Sequence, residues 1–132
     1  MGRTVIMHID EAPLVRGELT PAGEPIRRAN QVIGDLDEGP WINVSGMTPG
    51  TEIKPHTHDL DECIYVIEGS LTIGDRECSP GTVVYVERDT EYEFKVGPTG
   101  VRFMNIRPGL ARIKFRGEPE YADGNLTRAR RS

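Results

Sequence analysis

The feature that most constrains this chain is its punctuation. Gly, Pro, Asn and Asp break it roughly every ten residues, and the stretches between breaks carry period-two or solidly apolar runs. Helical periodicity is almost missing. Residues 4–9 (TVIMHI), 41–47 (WINVSGM), 51–58 (TEIKPHTH) and 62–73 (ECIYVIEGSLTI) read as strands. So do 82–87 (TVVYVE), 91–96 (EYEFKV) and 101–108 (VRFMNIRP), and residues 111–117 read as an edge strand. Gly74-Asp75 between LTI and REC predicts a two-residue hairpin of type II′, which wants Gly at its first central position. The stretch PLVRGELTPAGEP reads as irregular, DLDEGP as a turn, and Gln31-Val32-Ile33 as either a strand end or a short helix stopping at Gly34. That makes about nine strands at 8–12-residue spacing, the pattern of a sandwich or small barrel. With 132 residues the chain is one domain, able to bury a core without a disulfide or metal staple.

Charge and cysteine usage narrow the class. The net charge of −5 leaves no electrostatic footprint for nucleic acid. Arg128, Arg130 and Arg131 crowd the last five residues, so the body is more acidic than the average, and residues 119–132 read as a loose solvated tail. No run of eighteen apolar residues exists to span a membrane. The opening MGRTVIMHID has no basic head followed by an apolar run, so no secretory leader is expected. A cytoplasmic protein with Cys63 and Cys78 as reduced thiols follows.

The strand CIYVI is apolar on both faces. Ile64 and Val66 point one way, Cys63, Tyr65 and Ile67 the other. One face meets the barrel interior. The other needs a cover, and a second copy of the chain is the expected one, giving a homodimer.

The chemistry concentrates in KPHTHDLDE. His56 and His58 are two of only three histidines, and on a strand the i, i+2 spacing puts both imidazoles on one face. If the chain reverses at residues 59–61, Glu62 opens the neighbouring antiparallel strand and faces the same interior. Two imidazoles and a carboxylate make a facial set with open metal positions. No glycine-rich phosphate loop, CxxC pair or Ser/His/Asp arrangement is present. Asp59 and Asp61 read as turn residues, and Cys63 as a packed thiol facing away from the metal.

The spacing of Gly50, His56, His58, Glu62 and Gly69 resembles the first signature motif of the cupin superfamily at every fixed position. With its flanks the likeness covers residues 47–94. It implies an all-β fold, an antiparallel jelly-roll β-barrel over residues 1–118, with an interior metal site. The metal motif spans 50–69. A second motif, degraded, spans 81–96: it opens at Gly81 and carries Glu87, Asp89 and Tyr92 where the family usually has Pro, Gly and His.

Three readings of that departure stand open. His56, His58 and Glu62 hold the metal with waters, Tyr92 close by. Or Tyr92 is a fourth ligand, which needs a strong Lewis acid to remove a phenol proton that ordinarily leaves near pH 10. Or metal binding has been lost. The expected metal ligands are His56, His58, Glu62 and Tyr92, holding one divalent transition metal (iron, manganese, nickel or zinc). Tyr92 and Glu62 are the candidate catalytic residues. Ile64, Val66 and Phe94 are expected to line the substrate pocket, and Arg102, if inward, to hold a substrate carboxylate or enolate. Cupins include dioxygenases, lyases, isomerases, cyclases, epimerases, storage proteins and sensors, so the likeness implies a metal-dependent enzyme acting on a small organic molecule inside the barrel. The alternative is a non-catalytic small-molecule-binding or sensor cupin.

Overall fold

The structure, a computed structural model, describes residues 4–19, 25–33, 40–109 and 111–122. A single 3₁₀ turn, Ile9–Glu11, precedes nine strands among the described residues. They are β1 (Leu14–Leu19), β2 (Pro25–Ile33), β3 (Trp41–Met47), β4 (Glu52–His58), β5 (Glu62–Ile73), β6 (Arg76–Cys78), β7 (Val83–Val86), β8 (Tyr92–Arg107) and β9 (Ile113–Phe115). Every pairing is antiparallel. The order β1-β2-β3-β8-β4-β9 forms one path, and β5 adds to β8 while carrying β6 and β7. The sheet curls into an antiparallel jelly-roll barrel. No helix of the described residues is long and apolar enough to cross a membrane.

Strand β8 organises the barrel. Its first residues pair with β4, its last seven with β3, and β5 runs along most of its length. The turn expected at GPTG is instead an irregularity inside one sixteen-residue strand. Leu71 opposes Val96 while Gly69 opposes Val101, so β8 takes five steps where β5 takes two. The odd excess of three flips side-chain parity. Tyr92, Phe94 and Val96 face inward before it, and Val101, Phe103, Asn105 and Arg107 after it. Gly69 is needed there. Its φ is +71°, and a Cβ at this position would stand 2.0 Å from the Gly100 carbonyl oxygen.

Below this crossing lies the apolar core, in which Phe103, Ile64, Leu71, Val66 and Val96 are fully buried. The hairpin between β5 and β6 pairs Ile73 with Arg76 around Gly74-Asp75, with Gly74 at φ +62°, as the type II′ reading requires. Cys63 and Cys78 are free thiols.

Two expectations are corrected. Residues 4–8 form no strand: Ile6 is 91% exposed, and His8 caps the 3₁₀ turn by accepting from the Asp10 amide. Irregular PLVRGELTPAGEP holds β1, because β2 offers it a full antiparallel ladder that local propensity does not reveal. Of the two readings of Gln31-Val32-Ile33, the strand end holds: these residues close β2. Beyond residue 118, Ala122 exchanges two backbone hydrogen bonds of 2.9 Å with Ile113. The arginine-rich end and nearly all of the 35–40 turn lie outside the described residues.

Candidate functional site

A cavity of about 290 Å³ opens into one end of the barrel. Ile64, Phe94, Phe103 and Ile113 form much of its apolar wall; His56, His58, Glu62, Tyr92, Asn105 and Arg107 are among its polar groups, and the charged Arg27, Glu52 and Lys54 also line it. The two histidines come from β4, whose outward residues are the alternate ones. His56 stands opposite Tyr92 in the β4–β8 register, ring centroids 4.5 Å apart. The His56 and His58 centroids are 5.0 Å apart, edge to face.

Glu62 reaches this cavity by another route than the local reversal expected. Strand β4 pairs with β8 and β9, and β5 with β6, β7 and β8, so β5 is not the neighbour of β4. Glu62 meets the histidines across the barrel. The loop between is tied down by its aspartates: Asp59 accepts from the Arg112 amide at 2.7 Å and Asp61 from the Arg88 amide at 2.9 Å.

Each imidazole is oriented from behind. His56 Nδ1 lies 2.7 Å from the Lys54 carbonyl oxygen, and His58 Nδ1 lies 3.1 Å from that of Arg112. A carbonyl can only accept, so Nδ1 carries the proton and Nε2 the lone pair in both neutral rings. Burial pushes the His58 pKa down to about 4, helped by the Arg107 charge. Burial also lowers that of His56, against the opposing pull of the Lys54 carbonyl and Glu62. Both rings are therefore neutral at pH 7.

Glu62 is the hub. Its side chain is 2% exposed. Tyr92 Oη donates to Oε1 at 2.5 Å, while Arg107 donates to Oε2 through Nε at 3.1 Å and Nη2 at 2.5 Å. Arg107 Nη2 also stands 3.5 Å from His58 Nε2. Burial alone would raise the Glu62 pKa, but the charge of Arg107, the field of His58 and the Tyr92 hydrogen bond outweigh it and hold the carboxyl below its ordinary value. Burial and the Glu62 charge drive the Tyr92 phenol well above its ordinary value, so it keeps its proton here.

The expected residues divide. His56, His58, Glu62, Tyr92, Ile64 and Phe94 line one cavity. Val66 is fully buried in the core behind that wall. Arg102 is corrected: it lies after the parity flip at an even position, faces out of the barrel, and stands 3.5 Å from Asp10. Arg107 is the arginine of β8 that faces inward, lining the cavity with Arg27 of β2, and sequence reading missed it because the flip is invisible in GPTG. Asn105, two residues before it, lines the same cavity, and its buried Oδ1 has no hydrogen-bond partner among the described residues.

The donor set has the chemistry of a divalent transition-metal site: two neutral imidazole nitrogens oriented by backbone carbonyls, and a carboxylate. As placed, Glu62 is turned to Arg107 and Tyr92, and among the described residues no three His, Cys, Asp or Glu side chains stand together as a ligating group. The residues fit a metal once Glu62 leaves Arg107.

Comparisons with known proteins agree with this fold. The Cupin domain family model (Cupin_2) matches residues 43–107. No curated protein matches the chain. Among solved structures, an RmlC-like cupin from Ralstonia eutropha is similar at 18% identity and TM-score 0.73, over 95% of this chain and 81% of that one. A protein of unknown function with a cupin-like fold from the same organism is similar at 12% identity and TM-score 0.71, over 99% and 83%. The polyketide cyclase RemF from Streptomyces resistomycificus is similar at 21% and 0.65, over 92% and 85%. At such identities the likeness speaks for the fold. Barrel, first motif and family match coincide on the same strands, and the chain belongs to the cupin superfamily.

Proposed function

We propose that this cupin is an enzyme acting on a small organic molecule inside its barrel, with one divalent transition metal held by His56, His58 and Glu62. The observation that carries the reading is the convergence of His56, His58, Glu62 and Tyr92 on one open cavity, with each imidazole's lone pair set on Nε2 by a backbone anchor on Nδ1. Iron, manganese, nickel or zinc would supply a Lewis acid for a carbonyl, enol or carboxylate oxygen, and iron could also activate O₂.

The chain's own residues do the rest. Tyr92 holds a proton on Oη, hydrogen-bonded to Glu62 Oε1, and is the candidate acid toward a substrate oxygen. Ile64 and Phe94, backed by Val66, exclude water and seat the apolar part of the substrate. Asn105 Oδ1 offers an unused acceptor to a substrate hydroxyl or N–H. Tyr92 as a fourth ligand remains a second form of the same reading, available once a strong Lewis acid removes its proton.

Dioxygenase, lyase and isomerase chemistry share these parts. Similar cupin folds include a polyketide cyclase, an oxalate decarboxylase, a putative acetylacetone dioxygenase and a sugar phosphate isomerase. They support an enzyme without choosing the reaction. One observation favours a non-catalytic binding or sensor cupin instead: Glu62 is already neutralised inside the protein by Arg107.

Elemental analysis by plasma mass spectrometry separates the two. About one transition metal per chain, lost in Glu62→Ala, is the expected result. No bound metal, and none taken up on reconstitution, would overturn the enzyme reading in favour of the binding module. We also infer a homodimer. Tyr65, Val83, Tyr85 and Ile106 lie exposed on the outer face of β5, β7 and β8, an apolar patch suited to a second copy. The free thiols support a cytoplasmic setting.

A further inference from the structure

Arg107 is the least expected member of the site. It is the last residue of β8 and 8% exposed, and it reaches Glu62 across 45 positions of sequence. Two of its donors fall on the carboxylate oxygen that Tyr92 leaves open, and Nη2 also comes to 3.5 Å from the lone-pair nitrogen of His58. The guanidinium thus touches two of the three groups proposed to hold a metal. A guanidinium cannot shed its charge near neutral pH. A dication brought onto Glu62 and His58 would meet it within a few ångströms, at buried groups where like charges repel more strongly than in water. Both cations cannot rest on the same carboxylate.

The structure offers the arginine a second acceptor. Asn105 lies two residues away on the same inward face of β8, its buried Oδ1 unpartnered in the cavity wall. A buried acceptor without a partner is costly and normally filled. A displaced guanidinium would find an acceptor within the same cavity.

We propose that Arg107 is a resident counter-cation of the Glu62 carboxylate and competes with the metal for it. The site then has two exclusive states. In one, Arg107 closes on Glu62 and His58. In the other, metal occupies those groups and the guanidinium is released toward Asn105, free to bind an anionic group of the substrate. This rests on the metal-site reading above and adds what that reading lacks: an intrinsic brake on metal affinity, built from one side chain.

The test is a cobalt(II) titration of the metal-stripped full chain, followed by the visible absorption of the bound ion. Wild type is compared with Arg107→Gln and Arg107→Lys, each also carrying His56→Ala as a control. Arg107→Gln is expected to bind cobalt at least about ten-fold tighter than wild type. Arg107→Lys should fall between, because a single ammonium keeps the charge but loses the fork that grips Glu62. The lysine variant also keeps the test open if Arg107→Gln folds poorly. The His56→Ala control should abolish the absorption in every background. Wild type binding cobalt while both variants bind equally or more weakly would overturn the competition and leave the metal site standing. No binding by wild type or by either variant would overturn the metal site itself, and the competition with it.

Discussion

The Arg107–Glu62 pair makes a strong quantitative claim about the metal-free protein. Both side chains are nearly removed from solvent, at 8% and 2% exposure, and three hydrogen bonds tie Glu62 to Arg107 and Tyr92. Replacing Glu62 by Gln keeps the shape and an acceptor for Tyr92, but leaves a buried guanidinium facing a neutral amide. Breaking one partner of such a pair costs about 3–5 kcal/mol, mostly as the penalty of the charge left behind. For 132 residues, about 2.1 cal/mol/K of unfolding entropy per residue converts each kcal/mol to roughly 3.6 °C. Glu62→Gln should therefore lower Tm by roughly 11–18 °C, a large part of the margin of an ordinary domain. Arg107→Met should do similar damage by stranding the carboxylate. The double variant removes both charges and should return to within about 1 kcal/mol of wild type, because a buried ion pair and its neutral replacement are often nearly equal. Urea unfolding of the four proteins in chelator closes the cycle, and the coupling energy should exceed about 3 kcal/mol. Single variants within about 1 kcal/mol of wild type, or a double variant whose loss is the sum of the singles, would refute the pair as described.

Other consequences are as direct. His58 has its pKa depressed to about 4 by burial, against an unfolded value near 6.5, so the unfolded chain takes the proton first as pH falls. Stability should be constant on this account above pH 6.5 and fall by about 3 kcal/mol between pH 6.5 and 4. Urea midpoints across that range, flattened in His58→Gln, check it; equal midpoints at pH 7 and 4.5 would contradict it. Tyr92→Phe removes the donor to Glu62 Oε1 and should cost about 1–3 kcal/mol while leaving bound metal near wild type if Tyr92 is no ligand. Metal loss in that variant, by plasma mass spectrometry, would assign Tyr92 to the ligand set. Gly69→Ala puts a Cβ against the Gly100 carbonyl at a positive φ and should lower Tm by more than about 10 °C or abolish soluble expression; an unchanged melting curve would refute the close approach. Tyr85→Glu, on an outer face where Tyr85 is 59% exposed, should convert a dimer to monomer by light scattering without moving Tm of the isolated fold, and a wild-type monomer would remove the dimer reading.

What the chain reveals by reading alone follows a physical divide. Most strands from residue 41 onward were legible because turn chemistry and alternation are local, although β8 was read as two. Gly74-Asp75 announces its hairpin, and His56 and His58 announce a shared face. Strand β1 was not legible, since PLVRGEL becomes a strand only against the partner that β2 provides. The opening TVIMHI errs the other way. It has the composition of a strand, yet among the described residues no ladder pairs with it, and propensity without a partner does not make a strand.

The site divides in the same manner, and the division explains why the wrong arginine was chosen. Tyr92 and Phe94 share inward parity with the start of β8, and extending that parity through residue 102 would carry Arg102 into the barrel. The three extra residues between Val96 and Val101 reverse it, so Arg102 turns to Asp10 at the surface and Arg107 turns to Glu62 in the interior. Nothing in Gly-Pro-Thr-Gly states whether it closes a hairpin or bulges within a strand, because both need the same residues. The outcome is decided by β5, which runs past the irregularity and pairs on both sides of it, with Gly69 allowing the Gly100 carbonyl to come close. Arg107 is thus placed by a backbone irregularity seven to ten residues earlier in the same strand. A β8 that alternated without interruption through 97–100 would exchange the two arginines and leave Glu62 facing Tyr92 alone, whereas deleting one residue there would let the strand alternate and still keep Arg107 inward.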